Sequence, residues 1–358
     1  MSLPFLHPYI GLSSGLNTRQ AASGAASAGG WVELGRTTLG STADTISVAS
    51  LADKRYLMVL GHCLPSGDII YNFRLNGDTG SNYTTRYCDN GAADGTDVSI
   101  SSAYVAGGPI ATQQFGVSYL ANYSTKEKLC ISHAVNQNTA GVGDAPSRRE
   151  AVTKHAQTTN PISQYTAFNT QAGDYASGSE VVVLGWDPAD THTNNFWTEL
   201  ANVTLTGAGD TLSSGTFTAK KYLWIQAYHN STGGDTRASL RVGNGTVDSG
   251  NNYAYRRFDS NSGSEATFTT TDRMSASSGA FTSTSFWNIF IINNSAQEKL
   301  AIIHETRATT TGAGTAPYRL ESVGKWTNTS NQINIVELFN DQAGDFGIGS
   351  IIKVWGSN

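Results

Sequence analysis

"GVGDAPSRREAVTKHAQTTNPI" begins at Gly141, and "GAGTAPYRLESVGKWTNTSNQI" begins 171 positions later at Gly312. Self-similarity on this scale has to be settled before any single residue is read, because it fixes the architecture. Working outward, "WVELGRTTLGSTADTISVASLADKRYL" from Trp31 lies without a gap on "WTELANVTLTGAGDTLSSGTFTAKKYL" from Trp197, and "GSNYTTRYCDN" lies on "GNNYAYRRFDS". Further pairs are "EKLCISHAV" with "EKLAIIHET" and "FNTQAGDYASGSEVVVLGW" with "FNDQAGDFGIGSIIKVWGS". The offset grows only from 166 to 171, the size of change that surface loops absorb. The chain is therefore read as residues 1–30, an extended arm and tether, followed by homologous domains at 31–188 and 195–358. Each domain is long enough to bury its own core without a disulfide or metal staple.

Within each copy, apolar residues alternate over short runs such as "DTISVASL", "DIIYNFRLN", "EKLCISHAV" and "SQYTAFN", bounded by Gly, Asn and Asp. Period-two runs of this length are half-buried strands, and no window carries helical periodicity. The expected fold is all-β: two tandem jelly-roll-like β-sandwich domains behind an N-terminal arm.

The composition excludes several function classes. Charged residues make up 14% and the formal net charge is -5, so the basic stripe that phosphate binding needs is missing and no nucleic-acid partner is expected. The longest apolar runs, "EVVVLGW" and "SFWNIFIINN", are strand-length, and no membrane span is expected. Cys63, Cys88 and Cys130 face His229, Phe258 and Ala301 in the other copy, which reads as buried free thiols and not as a disulfide framework. The leading "MSLPFLHPYIGLSSGLNTRQ" lacks a basic n-region and is interrupted by Pro4 and Pro8, so it is not read as a signal peptide. Its apolar and proline residues, Leu3, Pro4, Phe5, Leu6, Pro8, Tyr9, Ile10 and Leu12, are the candidate partner-binding segment, tied to the domain by "AASGAASAGG" at 21–30.

No nucleophile–base constellation or metal-ligand spacing stands out, so neither catalysis nor a cofactor is expected. His133 and His304 are matched, but each shares a strand face with apolar neighbours and reads as a hydrogen-bonded core residue. Arg148 with Glu150 and Arg319 with Glu321, two apart on a strand, read as ion pairs. Asp89, Asp94 and Asp97 share one turn-rich loop and are calcium candidates, and Tyr253 and Tyr255 are candidates for stacking on a sugar ring.

The stretches "WVELGRTTLGSTADTISVASL", "RLNGDTGSNYTTRY" and "GSEVVVLGW" resemble jelly-roll-type virion proteins of tailed phages. The resemblance covers nearly everything after residue 30 and rests on structural motifs. It implies a non-enzymatic virion protein made and assembled in the host cytoplasm, of capsid-decoration, head-fibre or tail-associated type. Expected partners are other virion subunits and further copies of the chain, with a host-surface glycan as an additional ligand. A double jelly-roll major capsid protein and a tail-associated receptor-binding protein are the alternatives.

Overall fold

A computed structural model describes residues 30–191, 194–260, 262–309 and 312–358. The candidate segment Leu3–Leu12 lies outside them. Every regular element among the described residues is a strand.

The first half builds an antiparallel eight-stranded sheet, crossed in the order Val32–Thr38, Glu180–Trp186, Tyr56–Cys63, Gln114–Ala121, Lys128–Asn136, Ser147–His155, Tyr83–Asp89 and Gly95–Ile100. A four-stranded sheet, Thr45–Val48, Tyr165–Phe168, Asn72–Leu75 and Ala103–Tyr104, covers one face. The second half repeats the large sheet strand for strand, from Thr198–Thr204 and Ile351–Ser357 through Tyr222–His229, Ser285–Ile292, Lys299–Arg307 and Tyr318–Trp326 to Tyr253–Asp259 and Ser264–Thr271. Its smaller sheet centres on Ile335–Asn340 and Ala238–Asn244. The jelly-roll-like sandwich expected from the repeat is thus present in both halves.

Each sandwich buries its own core between its two sheets. In the first, Leu57, Val59, Ile69, Tyr71, Phe73, Tyr165 and Val183 meet; in the second, Leu223, Ile225, Leu240, Trp287, Ile303 and Leu338 do. Gly61 is required here, since a Cβ would stand 2.2 Å from the Tyr71 hydroxyl, which in turn shares a hydrogen bond of 3.0 Å with Tyr165.

The expectation of half-buried strands needs correction at the centre of the large sheets. Successive residues point to opposite faces, and in Tyr56–Cys63 the odd members Leu57 and Val59 enter the sandwich core while Met58 and Leu60 enter a third core. That third core also holds Phe115, Val117, Val182 and Leu184 from the first half, and Trp197, Trp224, Phe290, Leu300, Ile302, Val323 and Trp355 from the second. The outer faces of the two large sheets are therefore packed on one another. Burial on both faces explains why "EVVVLGW" is a continuous apolar run and does not alternate.

Polar ties cross the same seam. Glu180 is 3% exposed and receives the Tyr222 hydroxyl at 2.8 Å, with Arg36 at 3.2 Å and Lys221 at 3.0 Å. The loop that opens "GVGDAPSRRE" is held by the second half: Thr270 N–H donates to Val142 O at 3.1 Å, Lys325 Nζ to Gln137 O at 3.2 Å and Arg256 Nε to Pro146 O at 2.9 Å. Glu298 accepts the Gly141 N–H at 2.6 Å. In the other copy, the equivalent residues 312–317 are all exposed.

Two histidines, one in each half, make the fold sensitive to acid. His62 is wholly buried, with its ring Nε2 paired to Gln113 Oε1 at 2.9 Å, and burial lowers its pKa to about 4. Burial lowers His229 to about 4 as well. A basic group whose folded pKa is depressed favours the native state fully above its unfolded pKa, near 6.5, and loses that contribution as pH falls toward the folded value. Unfolding free energy measured in urea is therefore expected to fall between pH 6.5 and 4, by roughly 3 kcal/mol per histidine. The double variant His62→Gln/His229→Gln should flatten this slope, and an unchanged slope would contradict the assignment.

Candidate functional site

The matched histidines lie in the seam, because the strand faces that carry them point away from their own sandwiches. Antiparallel register sets His133 directly across from Glu150 and, in the other half, His304 across from Glu321. Packing of the sheets then brings these cross-strand pairs together, with the imidazole centroids 4.4 Å apart at 66°. Glu150 Oε1 lies 3.8 Å from His133 Nδ1 and 3.6 Å from His304 Nε2.

Arg148 is the cation at the middle of the group. It is 4% exposed, and its Nη1 lies 2.9 Å from both Glu150 Oε1 and Glu321 Oε2, while Nη2 reaches Glu265 Oε2 at 3.2 Å. Arg319 Nε is 3.2 Å from Glu321 and Arg256 Nε is 4.0 Å from Glu265. Burial opposes ionisation of Glu150, but the two imidazoles and Arg148 outweigh it and hold the carboxyl well below the usual range. Burial, and after it the negative charge of Glu150, pushes the Glu321 carboxyl up. Burial also lowers His304, partly offset by Glu150.

This placement corrects the reading of His133 and His304 as core residues: both are half-buried and lie beside the Glu150 carboxylate, His133 from the adjacent strand and His304 from across the seam. The ion pair expected in each copy is present, Arg148–Glu150 in the first and Arg319–Glu321 in the second, and the two are joined into one cluster through Arg148. Glu265, supplied by the strand Ser264–Thr271, was not anticipated from sequence. Its only signal was an acid lying opposite Phe258 in strand register.

Other candidates fall elsewhere. Tyr253 is wholly buried and Tyr255 is 3% exposed. The Tyr253 hydroxyl donates to Val242 O at 2.7 Å and the Tyr255 ring stacks on Phe268 at 4.4 Å, so neither presents a face to a sugar. Asp89, Asp94 and Asp97 do not converge as calcium ligands. Asp89 is taken by Arg149 Nε at 2.6 Å, Asp94 lies 3.4 Å from Arg86, and Asp97 lies beside Tyr104, whose phenol it helps push up after burial. Cys63 and Cys130 are buried free thiols as expected, whereas Cys88 is half-buried.

A second feature adjoins the polar cluster. In the second half, Leu300, Ile302 and Val323 are at most 2% exposed. Their counterparts in the first half, Leu129, Ile131 and Val152, are 57%, 51% and 49% exposed. The repeat writes one apolar face twice, and the packing covers only one of the two. Beside the bare face runs a groove of about 540 Å³, lined by Trp31, Tyr56, Tyr119, Leu129, Ile131 and Trp186. Its aromatic wall is stiffened by stacking of Tyr56 on Trp186 at 5.5 Å.

Removing the central cation tests how far the seam depends on it. Arg148→Ala leaves Glu150, Glu265 and Glu321 crowded without their shared partner, and is expected to cost about 3–5 kcal/mol at neutral pH. Urea unfolding checks this, with Arg148→Lys recovering only part of the loss because an ammonium cannot bridge three carboxylates in a fixed plane.

Comparison with known proteins adds little. No protein-family model matches the chain, and no curated protein matches it. Among solved structures, domains LG4–5 of the mouse laminin α1 chain align over 95% of this chain and 93% of theirs, at 10% identity and a TM-score of 0.20. A structure of CghA aligns over 83% of this chain and 99% of its own, at 8% identity and a TM-score of 0.11.

Proposed function

We propose that the chain is a non-enzymatic structural protein of a phage particle, of the capsid-decoration or head-fibre type, linked to neighbouring copies through its N-terminal segment. The observation that carries this reading is the uncovered face of Leu129, Ile131 and Val152 beside a groove whose lip is Trp31. An exposed apolar patch rimmed by polar residues marks an interaction surface.

The proposed occupant is the segment Leu3–Leu12 of an adjacent copy. It is rich in apolar and proline residues, and its ten-residue tether enters the fold at Trp31, on the groove itself. A chain of small residues that long spans on the order of 17 Å by random-coil scaling, so the segment can dock on a neighbour without disturbing its own domain. Each copy contributes one segment and one groove, so exchange fills every groove in a ring or a row. Proline at positions 4 and 8 reduces the entropy lost on docking. Resemblance to virion proteins supplies the setting, since a particle exterior needs multicopy, self-linking β domains.

Sedimentation of the full chain, of a chain lacking residues 1–20 and of Ile131→Asp tests the linkage. The full chain is expected to associate with rising concentration, and both variants to remain monomeric with unchanged β-sheet circular dichroism. A full chain that stays monomeric, with its segment in its own groove, would overturn the exchange. Absence of the chain from purified particles would overturn the setting.

A further inference from the structure

From the seam cluster we infer a second property, a binding site for one divalent transition-metal ion of the zinc type, with His133 Nδ1, His304 Nε2 and a Glu150 carboxylate oxygen as ligands. The three ligand atoms all lie within 4.8 Å of one another. The two Glu150 contacts, 3.8 and 3.6 Å, are too long for hydrogen bonds. They are close to the ~3.4 Å that separates donor atoms held at about 2.0–2.1 Å around a tetrahedral zinc ion. His133 Nδ1 is shut off from solvent with no hydrogen-bond partner, an uncompensated position for a buried polar atom unless something else takes its lone pair.

The donor set suits the class of ion. Two imidazoles and one carboxylate match zinc, whereas calcium and magnesium require mostly oxygen. Arg148, 2.9 Å from Glu150 Oε1, occupies the place of the outer partner that orients a ligating carboxylate. Glu150, Glu265 and Glu321 together match the charges of Arg148, Arg256 and Arg319, so the cluster carries no net positive charge that would repel a cation. His133 and Glu150 share a crevice with Glu321 and Arg319. Because one histidine comes from each half, the ion clamps the two sandwiches together.

The site is tested on the full chain after chelator treatment, by calorimetric titration with Zn²⁺ and by visible absorption with Co²⁺ as the reporter ion. The expected result is one ion per chain and a tetrahedral cobalt spectrum. His133→Gln and His304→Gln should each weaken binding by more than the roughly 10–100-fold that loss of an outer partner costs. Hydrogen exchange of the wild-type chain gives a reading that needs no variant: Zn²⁺ should protect the strands Lys128–Asn136, Ser147–His155 and Lys299–Arg307 together. No stoichiometric binding, binding that survives both substitutions, or protection confined to one half would each overturn the site. None of these readouts depends on self-association, so this inference and the proposed linkage fail separately.

Discussion

The central strands of the large sheets are apolar on both faces, and leaving both outer faces in water would be costly. Burial of Met58, Leu60, Val182 and Leu184 against Trp224, Phe290, Ile302 and Trp355 removes large aromatic and aliphatic side chains from solvent at roughly 1.5–3 kcal/mol for each fully buried aliphatic residue. The other features follow from this contact. It aligns His133 with His304, it places Arg148 among three carboxylates, and it determines which copy of the repeated face stays bare.

Duplication alone would suggest a symmetric pair, but the packing is not symmetric. Matched residues do touch at His133 and His304 and at Tyr119 and Phe290, whose rings are 6.4 Å apart. Elsewhere the contacts are unlike. Phe115 lies against Tyr222 at 6.4 Å, whereas its own counterpart, Phe286, is 41% exposed. Sequence divergence between the copies reflects this. Where the first half offers Leu60 and Val117 to the seam, the second has Gln226 and Asn288 at the same strand positions, outside the shared core.

Much of the fold was legible because repeat and alternation are local signals. The strand content, the sandwich class and the ion pairs Arg148–Glu150 and Arg319–Glu321 all depend on residues close in sequence or related by a fixed offset. The seam was not legible, since alternation shows that a residue faces outward from its own sheet but not what lies beyond. His133 beside Ile131 and Leu129 therefore read as a core position. One signal was underused: a strand such as "EVVVLGW" without polar alternates reports burial on both sides, and a two-sandwich chain meets that demand by packing its halves together. Tyr253 and Tyr255 failed as ligand-facing rings for a related reason. Tyr253 faces the sandwich core, and although Tyr255 lies in the same strand it is covered by the edge strand carrying Phe268.

The clamped loop between Gln137 and Pro146 has a bearing on synthesis. All of its partners in the second half, Arg256, Thr270, Glu298 and Lys325, lie more than a hundred residues downstream. At about 5–20 residues per second, a ribosome needs several seconds to tens of seconds to supply them after the loop emerges. Throughout that interval the nascent first sandwich presents Met58 and Leu60, which the second half later covers, in addition to Leu129 and Ile131, which stay exposed. Polysomes carrying adjacent unfinished chains are thus where wrong pairings through Met58 and Leu60 would begin, and a holdase would meet these two side chains there and not on the finished molecule.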